Sequence, residues 1–259
     1  MYSVDDFAGY NGSTGEYILK DGVPDNSQTL GVNSLRPGYM KLKDLNGDGQ
    51  INSQDRKVIG NAIPKAQGGF GFDLNYKGFD ASVFFNWSYG NDVYNTGKID
   101  FNQFYRTTYG NMLSTMSWDN RFTYIDVDGS YTGTPGEVVT DLDQLAEMNK
   151  DKKIWSGNNS FGQATTVFHD WAVEDGSFIR LNKLTLGYTL PTSWTSKVSL
   201  SNLRVYVTGY NLAIWTNYSG FDPEVSTTRS STYTALTPGV DYSSYPRSRS
   251  LTVGLNVTF

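Results

Sequence analysis

The last ten residues, 250–259, alternate without a break between apolar side chains and small or polar ones. Successive side chains of a β-strand point to opposite faces, so this segment predicts a strand with one wholly apolar face. A soluble β-sandwich could use such a strand. A membrane β-barrel requires strands of this kind, ~9–11 residues long, with lipid on one side and a wet lumen on the other. The row that we expect to face lipid consists of Leu251, Val253, Leu255, Val257 and Phe259.

Four further segments have a strand pattern, and they lie at 69–76, 79–89, 178–190 and 202–214. Lys77 and Gly78 join the first two as a two-residue hairpin turn, in which glycine supplies a positive φ. The pattern at 202–214 is ambiguous, because two competing sets of alternate residues are apolar. The first thirty or so residues carry no clear strand. The sequence therefore predicts an all-β protein with antiparallel strands.

The connections between these strands alternate strictly between short and long. Because antiparallel strands alternate in direction, all the long connections leave the same end of the sheet. Short turns at one end and long loops at the other are typical of outer-membrane barrels. We therefore expect extracellular loops at about 1–65, 90–177 and 215–247, a strand hairpin at 66–89, and the last three strands within 178–259.

Five strands are too few to close a membrane barrel, since the smallest barrels have about eight. An open sheet in lipid would also leave backbone groups at both edges unpaired. We therefore expect this sequence to be the C-terminal segment of a larger transmembrane barrel, with the other strands supplied by an N-terminal part of the same protein.

Composition favours β-structure and excludes several kinds of site. The chain has 18 Tyr, 14 Phe, 6 Trp and 27 Gly, a bias that suits strands better than helix bundles. It has no cysteine, which excludes disulfides, cysteine-ligated zinc and thiol catalysis. The net charge of −5 argues against a nucleic-acid partner. The first residues lack the basic start and apolar segment of a signal peptide.

Residues 44–55 have the spacing of an EF-hand-type calcium loop. Side-chain oxygens would come from the first, third, fifth and twelfth positions, a backbone carbonyl from the seventh, and the glycine at position six, Gly49, permits the sharp turn. Asn52, at position nine, can act through water. The alternative is an Asx-rich turn that holds no metal. The sequence thus predicts a structural Ca²⁺ whose ligands are Asp44, Asn46, Asp48, Gln50 and Asp55.

No motif in the sequence predicts catalysis. The sequence has no nucleophile elbow with which the single histidine, His169, could form a catalytic triad. Nothing in it positions a pair of carboxylates for glycoside hydrolysis. We therefore expect the protein not to be an enzyme. Trp118 and Trp155, with Tyr124 and Tyr131, are candidates for stacking on sugar rings, although each is equally compatible with loop packing.

Several segments, taken in order, resemble the C-terminal part of SusC/RagA-type TonB-dependent outer-membrane transporters. They are the PGYMKLKDLNGDGQINSQDRKVIGN run at 37–61, FIRLNKLTLGYTLP at 178–191, LRVYVTGYNL at 203–212, YSGFDPEV at 218–225 and YPR at 245–247. The resemblance covers most of the chain. It is specific in the ordered combination, not in any one motif.

The resemblance implies a 22-stranded barrel in the outer membrane of a Gram-negative bacterium of the Bacteroidetes type. It also implies an N-terminal plug, a SusD-like surface lipoprotein as a lid, and import of oligosaccharides or peptides driven by TonB, ExbB and ExbD. The sequence departs from this pattern because it contains neither the plug nor most of the strands.

Two other functions remain open from the sequence. One is a secreted, calcium-stabilised β-sandwich that binds glycans, which detergent dependence would distinguish from a barrel segment. The other is a hydrolase with a calcium-pinned loop, which lacks an identifiable nucleophile or a placed acid pair.

Overall fold

The structure is a computed structural model that describes residues 1–102, 111–156, 167–225, 238–242 and 245–259. Parts of the predicted loops at 90–177 and 215–247 lie outside these residues. The chain divides into two compact units. Unit 1 comprises Met1–Val58 and Lys98–His169, and unit 2 comprises Ile59–Gly97 and Asp170–Phe259.

Strands account for most of the regular structure in the described residues. In chain order they are β1 (Phe7–Asn11), β2 (Glu16–Leu19), β3 (Ala66–Tyr76), β4 (Phe79–Tyr89), β5 (Asp92–Asn95), β6 (Ile125–Asp126), β7 (Glu137–Val138), β8 (Val173–Asp175), β9 (Phe178–Thr189), β10 (Asn202–Thr216), β11 (Val240–Asp241) and β12 (Ser250–Thr258). The α-helices are short, and they are α1 (Ser27–Leu30), α2 (Thr96–Asp100), α3 (Leu142–Met148) and α4 (Thr192–Thr195). Among the described residues, no helix is both long and apolar enough to cross a membrane.

Unit 2 is built on a five-stranded antiparallel sheet in the order β12-β10-β9-β4-β3. These are the five predicted strands, with ends that differ from the prediction by no more than three residues. Lys77 and Gly78 connect β3 to β4, and both have positive φ, 47° and 88°. The longer connections, 90–177 and 217–249, both leave the opposite end of the sheet, which we call the long-loop end.

The register of the sheet separates an apolar face from a polar one. One row, read from β3 to β12, consists of Leu74, Ala81, Leu186, Val207 and Val253. The neighbouring row on the other face consists of Asp73, Ser82, Thr185, Thr208 and Thr252. Leu74 and Val253 are 67% and 71% exposed. A β-sandwich would bury such a row under a second sheet.

A register shift crosses the sheet at Asn182. This residue has no register partner on either neighbouring strand. On the β4 side, Lys183 and Leu181 pair with the consecutive residues Phe84 and Phe85. On the β10 side, they pair with Tyr210 and Ala213. The extra residue reverses the alternation of β9, as expected for a β-bulge. On β10, the row of Leu203, Val205 and Val207 lies on the apolar face, and the competing Tyr206 lies on the polar one.

The connection 90–177 contains regular structure that the sequence did not predict. Within unit 2, β5 pairs in parallel with β11 and antiparallel with β8, which forms a second, three-stranded sheet. Tyr218 donates a hydrogen bond from its hydroxyl to Asp241 of β11. Burial and the neighbouring Asp241 raise the pKa of Tyr218.

Unit 1 corrects the expectation that the first thirty residues contain no strand. There β1 and β2 form an antiparallel hairpin. One hydroxyl of this hairpin, on Tyr17, donates to the Val139 carbonyl at 2.7 Å, and the two strands contribute to a compact aromatic core. The buried core residues are Tyr2, Phe7, Tyr17, Tyr39, Phe122, Tyr124, Val139 and Leu145.

A buried carboxylate organises the turn between β6 and β7. Asp126 is 1% exposed and accepts hydrogen bonds from the backbone amides of Gly129, Tyr131 and Thr132 at 2.7–3.0 Å. Burial disfavours its ionised form. The amides of Thr132 and Tyr131 outweigh that penalty and lower the pKa of Asp126 to about 2. The carboxylate therefore stays charged while it holds the turn.

Candidate functional site

An ion pair crosses the polar face of the five-stranded sheet. Arg204 of β10 donates to both carboxylate oxygens of Asp80 on β4. The intervening residue on β9 is Gly187, and a Cβ placed there would lie 2.5 Å from both the guanidinium and the carboxylate. Glycine therefore makes room for the bidentate pair. The Arg204 guanidinium also lies 4.8 Å from the ring centroid of Tyr206.

A second, larger charge cluster lies at the long-loop end of the same face. Arg180, near the start of β9, donates to Asn211 of β10 and to Asp222, and its Nε lies 3.4 Å from Glu224 Oε2. Glu224 also pairs with Arg247 at 2.9 Å. The cluster therefore contains two cations and two anions. The Arg180 side chain is 2% exposed and that of Asp222 is 12% exposed.

The backbone bulge brings this cluster together. Asn211 has a φ of 52°, a left-handed conformation that asparagine tolerates better than most residues. Its side-chain amide donates to the carbonyl of Arg247 at 2.7 Å. On β9, the extra residue Asn182 places Arg180 on the same face as the cluster, while its neighbour Ile179 is 46% exposed.

The predicted calcium loop is a series of Asx turns. Asp44 accepts from the amides of Gly47 and Gly49 at 2.7 and 2.8 Å, and both glycines have a φ of 81°. Asp48 accepts from the amide of Gln50, and Asn46 accepts from the amide of Asp48. The contacts of Asn46 and Asp48 follow from local spacing, because Asn and Asp bond readily to amides two residues further on. Asp44 reaches three and five residues ahead.

Asp55 closes the loop. Its two oxygens accept from the amides of Leu45 and Asn52 at 2.8 and 2.9 Å. Hydrogen bonds from Asn52 and then Leu45 lower the pKa of Asp55, so its carboxylate is ionised at neutral pH. Ile51 anchors the loop, since it is 2% exposed. Backbone hydrogen bonds join the loop to Asp25.

The donor set of this loop fits calcium in chemical type and in order, because all its side-chain donors are hard oxygens. The described residues contain no group of three or more acidic, histidine or cysteine side chains placed to hold a metal. Coordination would therefore need the carboxylates to share their oxygens between backbone amides and the ion, with Asn46 and the Gln50 carbonyl completing the set.

The predicted substrate aromatics have different surroundings. Trp118 is 45% exposed, and the cations of Arg121 and Lys152 lie 5.3 and 5.6 Å from its ring. Trp155 is only 9% exposed. Tyr124 is a core residue of unit 1, and Tyr131 is 37% exposed. Of the two tryptophans, only Trp118 presents a substantial surface to a ligand.

Sequence reasoning missed both ion-pair sites on the sheet. Their partners are 124 residues apart for Arg204 and Asp80, and 42 apart for Arg180 and Asp222. The available signal was the placement of charges on the small or polar rows of otherwise apolar strands, where an isolated charge requires a partner.

No protein-family model matches the chain. In sequence, it is 33% identical over 237 residues to TonB-dependent receptor P3 of Formosa agariphila, an alignment that covers 91% of this chain and 20% of that receptor. It is 26% identical over 217 residues to TonB-dependent receptor SusC of Bacteroides thetaiotaomicron, covering 83% and 17%. The chain thus spans about a fifth of the length of the curated relatives it matches.

In structure, the chain is similar to the solved RagAB peptide transporter. The TM-score is 0.55 at 21% sequence identity, over 98% of this chain and 22% of that one. This likeness shows the fold, which is all-β and matches the RagA barrel. The sequence relatives and the fold agree with the two-faced sheet. The chain belongs to the TonB-dependent receptors of the SusC/RagA type, outer-membrane β-barrel proteins of the Bacteroidetes that are not enzymes.

Proposed function

We propose that this chain supplies part of the barrel wall of an importer that takes up oligosaccharides or peptides across the outer membrane. The energy would come from TonB, ExbB and ExbD acting on a plug domain outside this sequence. The observation that carries the proposal is the five-stranded sheet, whose apolar and polar faces are in register across every strand. Such a sheet suits hydrocarbon on one side and a wet lumen on the other.

The proposal includes a SusD-like surface lipoprotein as partner. Its support is the likeness to SusC and to the solved RagAB peptide transporter. The long connections 90–177 and 217–249 leave one end of the sheet, and we propose that this end is extracellular. Within the connection 90–177, we propose that Trp118 and Trp155, which the sequence predicts as substrate contacts, bind the substrate.

Uptake by intact cells tests the proposal. The gene is deleted in its host and restored on a plasmid, and uptake of labelled peptides and labelled oligosaccharides is measured with and without a functional TonB. We expect the deletion to abolish uptake of one of the two classes, and loss of TonB to have the same effect. Unchanged uptake of both classes in the deletion strain would contradict the proposal.

Affinity purification of the tagged receptor from mild detergent tests the partner. We expect a surface lipoprotein of the SusD type to copurify in near-equal amount. Purification of the receptor alone, from cells in which such a lipoprotein is produced, would contradict this part of the proposal and leave uptake to be judged separately.

We also propose that the loop 44–55 binds a structural Ca²⁺ through Asp44, Asn46, Asp48, Gln50 and Asp55. The Asx turns bend the loop sharply, and Asp55 joins its end to its start, which supports the proposal. The ion would stiffen a loop that is otherwise held by local turns and by Asp25.

Isothermal titration of a chelator-treated sample tests calcium binding. We expect binding heat in the unsubstituted protein and in the control Asp21→Ala, whose exposed side chain lies outside the loop. Asp48→Ala should lose it. Calcium at one hundred times its Kd should add about 2.7 kcal/mol to unit 1 stability. Absence of binding heat in the unsubstituted protein would refute the site.

A further inference from the structure

The Arg180 cluster joins parts of the chain that the sheet alone does not hold. Asp222 and Glu224 lie just after β10, and Arg247 lies just before β12. These residues therefore sit at the two ends of the connection 217–249, and we call segments 217–225 and 245–249 the neck of that connection. Both halves of the neck contact Arg180 directly or through one further residue.

Burial makes the contacts obligatory. A guanidinium that is 2% exposed has lost nearly all its water, so its charge must be compensated by neighbouring protein groups. Asn211 and Asp222 take the two terminal nitrogens, and the ring of Phe178 lies 5.5 Å from the guanidinium carbon. Displacing the neck would leave this charge uncompensated in a dry position.

The two halves of the neck are coupled by shared partners. The amide of Glu224 donates to the same Asp222 oxygen that Arg180 contacts. Glu224 then pairs with Arg247, whose carbonyl accepts from Asn211. Because every member touches two others, the contacts form a closed ring and not a single link.

The other ion pair on this face has no such role. Arg204 and Asp80 both belong to strands, and their side chains are 24% and 25% exposed. Breaking that pair leaves two groups that remain partly solvated and releases no loop. Arg204 is therefore a matched control for Arg180.

We infer that Arg180 is a positioning residue that clasps the neck of the connection 217–249 onto the polar face of the sheet. The first half of the neck contacts this buried cation directly, and the second half is joined to it through Asn211 and Glu224, so displacing either half disturbs the same set of contacts. The clasp sets the position from which the connection extends, and any rearrangement at this end of the sheet must break several contacts of Arg180 at once.

Hydrogen exchange of the receptor purified from outer membranes in detergent tests this inference. In Arg180→Met we expect the amides of 217–225 and 245–249 to exchange at least about tenfold faster, while those of 202–210 are unchanged. Arg180→Lys should restore part of the protection, since it keeps the charge and loses the fork. Arg204→Met should leave the neck unchanged.

A double-substitution cycle separates the clasp from a general loss of structure. Asp222→Asn should accelerate neck exchange less than Arg180→Met, and the double variant should be no faster than Arg180→Met alone. Unchanged neck exchange in Arg180→Met would overturn the inference, as would equal acceleration in Arg204→Met. If Arg180→Met fails to reach the membrane, Asp222→Asn and Glu224→Gln decide, and unchanged neck exchange in both would overturn it.

Discussion

The two units place the same kinds of side chain in opposite surroundings. In unit 1, Phe7 and Leu145 are 1% and 0% exposed, inside an aromatic core. In the five-stranded sheet of unit 2, Phe72 and Leu74 are 65% and 67% exposed. Apolar content alone does not distinguish these two regions.

The difference shows what each unit requires of its environment. Unit 1 excludes water by packing its own residues against each other, which is the usual driving force of folding in water. The sheet instead presents a continuous apolar face that is stable where the surrounding medium is hydrocarbon. The register keeps the two faces of the sheet distinct, because it aligns side chains of the same kind across neighbouring strands. The following substitutions test this comparison.

The largest effect is expected in the core of unit 1. Phe7→Ala removes a buried ring between Tyr2 and Tyr17, and large-to-small core changes of this kind cost about 3–5 kcal/mol. Phe72→Ala, on the exposed face of the sheet, should cost clearly less. Hydrogen exchange measured separately in the two units gives both values. Equal losses would remove the distinction between the units.

A charge on the apolar face should have the next largest effect. Val253→Arg places a cation among outward side chains, at a cost of about 2–4 kcal/mol near the middle of a bilayer. The neighbouring Thr252→Arg, on the polar face, should be tolerated better. Urea unfolding in lipid vesicles measures the difference. A larger loss in Thr252→Arg would mean that the two faces are assigned the wrong way round.

A smaller effect is expected at Gly187. An alanine there would press on Arg204 and Asp80, and a forced shift of this size costs about 1–3 kcal/mol. In unit 1, Gly9 has nothing within 4 Å of an added Cβ, so Gly9→Ala is the control and should change stability little. The same unfolding measurements apply, and equal effects would argue against the crowding at Gly187.

The smallest effect is confined to unit 1 and depends on pH. The pKa of Asp126 is about 2 in the folded chain, below the ordinary 3.8, so its contribution to stability is present above pH 3.8 and is lost as the pH falls towards 2. Asp126→Asn should therefore lower the melting temperature of unit 1 at pH 7. The difference between variant and unsubstituted protein should shrink as the pH approaches 2, and a constant difference would contradict the low pKa.

The sequence predicted the sheet well because side-chain alternation is a local signal. All five strands and the hairpin turn at Lys77 and Gly78 were found from period and turn residues alone. The Asx turns of 44–55 were predictable for the same reason. Whether these turns hold calcium depends on how the carboxylates share their oxygens, which spacing does not determine.

The parts that escaped prediction depend on distant residues. The β1–β2 hairpin is short and its pairing shifts near Gly9, so it shows little alternation, and its stability comes from residues such as Val139. The Arg180 cluster combines residues from four separate segments, namely β9, β10 and the two halves of the neck. The bulge at Asn182 interrupts the alternation of β9 itself, where Ile179 and Leu181 share a face with Leu184.

That bulge means that the face of Arg180 does not follow from its spacing along β9. If Asn182 instead continued the regular alternation from Thr185, Arg180 would turn to the apolar face and Ile179 to the polar one, which would place a buried cation against hydrocarbon. Deleting Asn182 would not have this effect, because Lys183 and Leu181 already pair with consecutive residues of β4. We therefore expect the strand to tolerate both substitution and deletion of Asn182, with Arg180 still on the polar face, which the amount of each variant reaching the outer membrane would reveal.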